Sequence, residues 1–141
     1  MNILKEIGMI AGFASISLTI KEYTAEFFNG VGKSMEPTIP EMSVIFIDKL
    51  TPRIKGVDKG DVVIMRSIMS HNEYICKRII HTAGDTFELN GRHITVPPHS
   101  IWVEGDNQDN SFDSRHYGPL SLHLLEGVAR FMIYPDIVKV K

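Results

Sequence analysis

The amino-acid sequence predicts a mainly β fold, an antiparallel, barrel-like sheet domain that follows one N-terminal helix. Three observations support this prediction. Short apolar runs bounded by Gly, Pro, Asn or Asp fill the chain after residue 29, a pattern typical of strands joined by turns. The dipeptide Asn90-Gly91 lies between two such runs and is a signal for a two-residue hairpin turn. The only long uncharged stretch, residues 7–20, is confined to the N-terminus.

Composition limits the classes of function. The chain has 141 residues, of which 43% are hydrophobic, so one folded domain is expected. Lys and Arg number 15 against 17 Asp and Glu, a net charge of -2, which argues against a nucleic-acid partner. Cys76 is the single cysteine, and the six histidines show no metal-ligand spacing. We therefore expect no internal disulfide, no metal site and no cofactor.

The uncharged N-terminal stretch has three interpretations. Residues 7–20 lie between Lys5 and Lys21, and as a helix they would span about 21 Å, short of a hydrocarbon core of about 30 Å. Flanking lysines can extend the match by snorkelling, which favours a membrane anchor. A helix of a soluble domain is the alternative, and a cleaved signal peptide is disfavoured because no small-residue cleavage site follows. The predicted organisation is an anchor helix over residues 1–28 and a β domain over residues 29–141.

The strand candidates follow one another through the β domain, with almost no further helix. Each is a short apolar or alternating run beside a turn-forming residue: 44–47, 62–65, 74–80, 87–89, 93–96, 101–103, 128–134 and 137–140. Successive side chains of a strand point to opposite faces of the sheet. In the run over residues 74–80, every second side chain is therefore expected on the same face of the sheet.

The first segment that could carry chemistry surrounds Ser34. Pro37 restricts the backbone on both sides of its peptide bond, and Gly32 permits an unusual turn just before the serine. Such a rigid turn can present a hydroxyl and a backbone amide at a constant angle. By itself, the segment is also compatible with an ordinary turn.

The second segment is the basic pair Lys77-Arg78. On a strand, Lys77 lies between Ile75 and Ile79 on one face, and Arg78 points the other way. A lysine among apolar neighbours loses hydration, and its neutral amine becomes accessible near pH 7. Cys76 faces away from Lys77 and is interpreted as a core residue. The alternative is an exposed basic pair on an edge strand.

The third segment is a polar loop over residues 105–119. It resembles a calcium loop at first sight, but its sixth position is Ser111 instead of Gly and its twelfth is Tyr117 instead of Glu. A loop of this length in a small domain usually has a function. We expect Asp113 to form a charge pair with Arg115 or Arg78 that fixes the loop against the Lys77 strand.

Together these segments resemble the type I signal peptidase family. The matching motifs occur in the family's order: Ser34-Met35-Glu36-Pro37-Thr38, Gly60-Asp61-Val62-Val63, Lys77-Arg78 through Gly84-Asp85, and Gly105-Asp106-Asn107 through Asp113-Ser114-Arg115. They cover residues 32–119. The short chain and the run Ile75-Cys76-Lys77-Arg78 are most similar to the catalytic subunits of the mitochondrial inner membrane protease, subunit 1 in particular.

The resemblance implies a serine endopeptidase with a Ser–Lys dyad and no cofactor. Ser34 would be the nucleophile and Lys77 the general base, with the Ser34 backbone N–H as one oxyanion donor. Ser111 matches the serine that orients the lysine amine. The supporting charges are Asp113, Arg115, Arg78 and Asp106. Some members supply a second oxyanion donor from a hydroxyl two residues before the nucleophile, but this chain has Gly32 there, so that donor is unassigned.

The resemblance also implies a location and partners. A single anchor would hold the chain in the mitochondrial inner membrane, with the β domain facing the intermembrane space. Precursor proteins would be the substrates, and a second, related catalytic subunit would form a heterodimer with this chain. The alternatives are a non-catalytic interaction subunit and a bacterial-type signal peptidase. A self-cleaving repressor-type protease is disfavoured because the residues before Ser34 are too few for a DNA-binding module.

Overall fold

The computed structural model describes residues 3, 6–10, 12–13, 15–16, 24–30 and 32–140. The described residues before residue 17 are helical and exposed. Within the described part of the chain, no helix has the length and apolar character needed to cross a membrane. Residues 17–23 of the predicted anchor lie outside the described residues, so the anchor stays a prediction.

Twelve helices and strands are described after residue 24. They are β1 (Ala25–Asn29), β2 (Val44–Asp48), α1 (Leu50–Lys55), β3 (Val62–Arg66), β4 (Tyr74–Thr82), β5 (Thr86–Leu89), β6 (Arg92–Thr95), β7 (Ser100–Glu104), α2 (Ser114–Tyr117), β8 (Leu120–Ser121), β9 (Leu125–Tyr134) and β10 (Val138–Lys139). Short 3-10 turns occupy Gln108–Asn110 and Leu122–Leu124.

The strands form one large antiparallel sheet and one separate hairpin. The order in the large sheet is β1-β2-β9-β3-β4-β7-β8, and β10 pairs with β9. Strands β5 and β6 form the hairpin, in which Leu89 pairs with Arg92. The two residues between them, Asn90 and Gly91, both have positive φ, as the predicted turn requires. The predicted mainly β, antiparallel fold class is confirmed.

Two local predictions differ from the structure. The boundary of the β domain was expected at residue 29, but β1 begins at Ala25 and pairs with β2. Residues 25–28 are therefore in the sheet and not in a helix. Packing of Phe28 against the core stabilises this strand. Helix α1 was not predicted, since it is only six residues long and contains Pro52 in its first turns, where a proline is tolerated.

The core has two parts, and strands β3 and β4 contribute to both. One part contains Met35, Ile39 and Ile64, with Cys76 packed against it. The other contains Val63 and Ile79, and Ile75 packs against it. Residues that pair across an antiparallel ladder share a face. Because Val63 pairs with Lys77, the lysine belongs to the second part, as the alternation along β4 predicts.

Two strand edges remain free beside this core. Strand β4 pairs with β3 along Tyr74–Arg78, whereas β7 pairs only with residues 78–82 of β4. Residues 74–77 therefore have an unpaired edge within the described sheet. Strand β1 ends the sheet and pairs with β2 alone. The segment that follows β1 carries Ser34.

Candidate active site

Ser34 lies in a tight turn that is anchored by its apolar neighbours. The amide of Glu36 donates to the Lys33 carbonyl at 3.2 Å, which closes the turn around Ser34 and Met35. Met35 and Ile39 are 2% and 3% exposed, and the Ile39 amide donates to the Met35 carbonyl at 2.9 Å. Burying these two side chains fixes the turn against the sheet. The serine is held at the sheet edge with one side toward a cleft.

The polar loop after β7 holds the same turn from the other side. The backbone amide of Asn107 donates to the Ser34 carbonyl at 3.0 Å, and its side-chain amide donates to the Lys33 carbonyl at 3.0 Å. The Thr38 hydroxyl donates to Asp106 Oδ2 at 2.5 Å. Three hydrogen bonds thus connect the loop to the turn.

Gly105 brings two serines together by having no side chain. A Cβ at this position would lie 2.5 Å from the Ser34 carbonyl oxygen and 2.6 Å from the Ser111 Cβ, with the Ser111 hydroxyl closer still. No real Cβ tolerates such contacts. The glycine therefore allows Ser34 and Ser111 to approach each other in the space that a side chain at residue 105 would fill.

Lys77 is buried on the second core face and is 4% exposed. Burial lowers the pKa of its amine; the Asp113 carboxylate opposes this shift and Arg115 adds to it. The amine is therefore electrostatically coupled to the Asp113–Arg115 pair. Within the described part of the chain, no group forms a hydrogen bond or ion pair with Lys77 Nζ. An amine whose pKa is lowered in this way is the form of lysine that can act as a base closer to neutral pH.

Asp113 is the best-satisfied charge of the site and is fully buried. Its carboxylate accepts hydrogen bonds from the Ser111 hydroxyl at 2.6 Å, from the Gly105 amide at 3.0 Å, and from Arg115 Nε and Nη2 at 2.9 and 2.8 Å. Burial alone would raise the pKa of Asp113, but the bonds from Arg115, Ser111 and Gly105 outweigh it and hold the pKa well below its usual range. Asp113 is thus a permanent anion.

Arg78 pairs with a different carboxylate. Its Nε and Nη2 donate to Asp106 at 2.8 and 2.6 Å, and its Nη1 donates to the Gly60 carbonyl at 2.8 Å. Burial alone would raise the pKa of Asp106. The hydrogen bonds from Arg78 and Thr38 outweigh this effect, so the pKa lies below its usual value. Of the two predicted partners for Asp113, Arg115 forms the ion pair. Arg78 binds Asp106, at the start of the same loop.

A cleft of about 360 Å³ opens beside Ser34. Its lining comes from the end of β1, the serine turn and the start of β4: Phe28, Asn29, Gly30, Gly32, Ser34, Met35, Ile39, Pro40, Ile45, Glu73, Tyr74 and Cys76. Cys76 was interpreted as a core residue. It packs against the core but also lines this cleft, where burial raises the pKa of its thiol to about 12.

Three residues of this arrangement received no role from the sequence. Thr38, Gly105 and Asn107 lie within the quoted motifs, but their contacts join segments about seventy residues apart. The one local signal was the placement of the dipeptide Asp106-Asn107 directly after a buried strand. No group of three His, Cys, Asp or Glu side chains in the described residues is arranged to hold a metal.

Comparisons with known proteins identify the family of this chain. The sequence matches the family described as "Signal peptidase, peptidase S26" over residues 1–96 and 89–134. It is 35% identical to mitochondrial inner membrane protease subunit 1 of Homo sapiens over 92% of this chain and 81% of that protein. It is 31% identical to mitochondrial inner membrane protease subunit 2 of Danio rerio over 89% of this chain and 75% of that protein.

A solved structure is also similar. The crystal structure of a signal peptidase I from Enterococcus faecalis V583 matches 53% of this chain and 97% of that chain, at 23% identity and a TM-score of 0.46. This similarity is too weak to support a conclusion by itself. The sequence matches are sufficient: the chain belongs to the signal peptidase family, peptidase S26, and is a serine protease of that type.

Proposed function

We propose that this chain is a membrane-bound endopeptidase that removes sorting or signal peptides from precursor proteins, with Ser34 as nucleophile and Lys77 as general base. One observation carries the proposal. Lys77 is 4% exposed and has no ion-pair partner among the described residues. Its amine is electrostatically coupled to Asp113, which accepts a hydrogen bond from Ser111, and Ser111 packs against the Ser34 turn at Gly105.

The acylation step follows from the protonation state of the amine. Neutral Lys77 Nζ takes the proton of the Ser34 hydroxyl while Oγ forms a bond to the scissile carbonyl carbon, and the carbonyl π electrons move to the oxygen. When the tetrahedral intermediate collapses, the carbon–nitrogen bond breaks. The Lys77 ammonium returns its proton to the leaving amine. The products of this step are a Ser34 ester and the released C-terminal portion of the precursor.

Deacylation repeats the sequence with water. Lys77, again neutral, takes a proton from a water molecule whose oxygen attacks the ester carbonyl. Collapse breaks the bond to Ser34 Oγ, and the proton moves from Lys77 to that oxygen. The enzyme returns to its starting state and the sorting peptide leaves with a free carboxylate.

The surrounding charges have separate roles in this scheme. Ser111 is the group that orients the Lys77 amine, and its hydroxyl is held by Asp113 at 2.6 Å. Arg115 neutralises Asp113 at 2.8 Å; without it the carboxylate would favour the charged amine. Arg78 and Asp106 pair at 2.6 Å and fix the loop that contacts the serine turn.

The free strand edges suggest how a precursor binds. The unpaired edge of β4 at residues 74–77 and the terminal strand β1 border the same cleft. An extended peptide placed between them would pair its backbone with the protein, and the apolar lining would select the side chains before the cut. Small apolar residues suit a cleft of about 360 Å³ that also holds the scissile bond.

We further propose that the segment before β1 anchors the chain in the mitochondrial inner membrane, with the β domain in the intermembrane space. The relatives are named as subunits 1 and 2 of a mitochondrial inner membrane protease. On that basis, a second, related subunit is the partner of this chain. Alkaline carbonate extraction tests the anchor: the protein is expected in the membrane pellet, and its release into the supernatant would contradict the proposal.

The dyad is tested by substitution in the full chain, expressed with its partner subunit. Ser34→Ala and Lys77→Ala are each expected to abolish precursor cleavage while membrane association persists. Ser70→Ala and Lys139→Ala are matched controls outside the site and are expected to cleave normally. Cleavage by either dyad variant would mean that this chain is a non-catalytic subunit or that the dyad is assigned wrongly.

A further inference from the structure

A second oxyanion donor is missing from the side chains of the serine turn. Position 32 is a glycine, so no hydroxyl is available two residues before the nucleophile. The backbone offers a replacement. No described residue accepts a hydrogen bond from the amide of Ser34 or of Met35, although the adjacent Glu36 and Ile39 amides are both satisfied. Two consecutive N–H groups are thus left available in a turn that borders the cleft.

Asn107 determines where these two amides point. Its side-chain amide binds the Lys33 carbonyl and its backbone amide binds the Ser34 carbonyl, both at 3.0 Å. In a planar trans peptide, the C=O and the following N–H point in opposite directions. Holding these two carbonyls toward Asn107 therefore turns the Ser34 and Met35 N–H groups away from it. Gly32, Ser34 and Met35 line the cleft and Asn107 does not, so the amides face the cleft side of the turn.

Asn107 is itself fixed on both sides. The Asn110 amide donates to the Asn107 carbonyl at 3.1 Å, and Asn110 Nδ2 lies 3.4 Å from Asn107 Oδ1. The second contact assigns the Asn107 oxygen to Asn110 and leaves Nδ2 for Lys33. The preceding residue, Asp106, is held by Arg78 at 2.6 and 2.8 Å. The donor geometry is therefore preorganised before substrate binds, which is what effective oxyanion stabilisation requires.

We infer that the amides of Ser34 and Met35 together form the oxyanion hole and that Asn107 is the positioning residue that aims them. This inference rests on the proposed peptidase function. Met35 N–H takes the place of the hydroxyl that Gly32 lacks. Asn107 touches neither the substrate nor the reacting atoms; it acts through the two carbonyls that it binds.

The first test replaces Asn107 by aspartate. Asn107→Asp keeps the size and the backbone amide but exchanges the donor to Lys33 for a carboxylate. We expect kcat to fall about 10²-fold, near the loss seen when one oxyanion donor is removed. KM for a precursor peptide should change less than twofold, and the pH profile should keep its shape because Lys77 is untouched. Asn90→Asp, in the β5–β6 hairpin turn, is the matched control with normal kinetics.

A transition-state analogue separates positioning from general damage. A peptide aldehyde forms a hemiacetal with Ser34 whose oxygen occupies the oxyanion hole. Its affinity for Asn107→Asp should fall in parallel with kcat/KM, while an uncleavable peptide of the same sequence binds as before. A normal kcat, a loss confined to KM, or a shifted pH profile would overturn the role of Asn107.

The second test addresses the Met35 amide directly. Replacing Met35 by its α-hydroxy acid removes one N–H and leaves the side chain in place. We expect kcat to fall about 10²–10³-fold. The same change at Ile137, whose amide binds no described acceptor, should have no effect. Unchanged kcat at position 35 would overturn the second donor, whereas an inactive wild-type enzyme would refute the proposed function instead.

Discussion

Lys49 and Lys77 are both buried at the sheet, but their surroundings differ. Lys49 follows β2 and is 7% exposed, and Lys77 on β4 is 4% exposed. Lys49 Nζ lies 2.7 Å from Glu26 and 4.0 Å from Glu126. Lys77 Nζ has no ion pair among the described residues. Under the proposed mechanism, the partners of a buried amine, and not its burial alone, decide whether it is a structural cation or a base.

The neighbours of each lysine explain the difference. Glu26 on β1 and Glu126 on β9 both approach Lys49, which follows β2. Because β1 and β9 are the two neighbours of β2, these ion pairs connect three adjacent strands. Asp113 near Lys77 is already occupied by Arg115 and Ser111. A carboxylate that is neutralised in this way stabilises an additional ammonium only weakly. Asp113 thus remains an anion that only weakly favours the protonated form of the Lys77 amine.

The largest effect expected from this comparison is on catalysis. Lys77→Met retains the length of the side chain and removes the amine. Precursor cleavage should fall at least 10³-fold, since losing one member of a catalytic triad lowers kcat by about 10⁴–10⁶-fold. Replacing an uncompensated buried amine by an apolar group of similar volume should leave the free energy of unfolding equal or higher. Urea denaturation measures this. A marked loss of stability would indicate that Lys77 is charged and paired like Lys49.

The second prediction concerns pH. Only neutral Lys77 accepts a proton, so kcat/KM should rise about tenfold per pH unit below the pKa of Lys77 and then level off. Because burial lowers this pKa from 10.5, the plateau should begin below pH 10.5. A rise that continues to that pH would show an exposed, ordinary amine. The Lys49→Arg variant serves as the control and should give the same profile.

The lowered pKa of Lys77 also makes the free energy of unfolding depend on pH. Between the lowered pKa of folded Lys77 and its unfolded value, the unfolded chain binds more protons, so the free energy of unfolding increases with pH in that window. Lys77→Met should lack this increase.

The smallest effect on cleavage is expected at Lys49. Lys49→Met leaves Glu26 without its cation, while Glu126 keeps Arg66 at 2.6 Å. Breaking such a partly buried pair should cost about 1–3 kcal/mol of unfolding free energy. The kcat of the folded enzyme should stay within twofold of the wild type. Urea denaturation and active-site titration measure the two quantities. A tenfold loss of kcat in folded protein would remove the distinction between the two lysines.

The sequence predicted the elements that have a local signal. Alternation along β4 placed Lys77 between Ile75 and Ile79, and Asn90-Gly91 predicted the hairpin turn. Strand β1 was missed because residues 21–28 were included in the predicted anchor helix, although Lys21, Glu22 and Glu26 separate Phe27 and Phe28 from the apolar stretch. A short helix such as α1 has too few residues for a period to appear.

The contacts that assemble the site had no such signal. Asn107 Nδ2 and the Lys33 carbonyl are 74 residues apart in sequence, and neither residue type specifies the other. The choice of Arg115 over Arg78 as the partner of Asp113 depends on loop geometry as well. Burial of Cys76 at the cleft wall required knowledge of the strand edge that β7 leaves open.

Cys76 gives this protease a single position that a thiol reagent can label. It is the only sulfhydryl in the chain, and it borders the cleft that Ser34 lines, so a mercurial bound there would mark a single position without engineering. With a pKa near 12, the sulfur stays protonated under physiological conditions and is a poor target for peroxide, which reacts with thiolates. The Cys76 thiol is therefore resistant to peroxide, and a mercurial directed at it would report whether a peptide occupies the cleft.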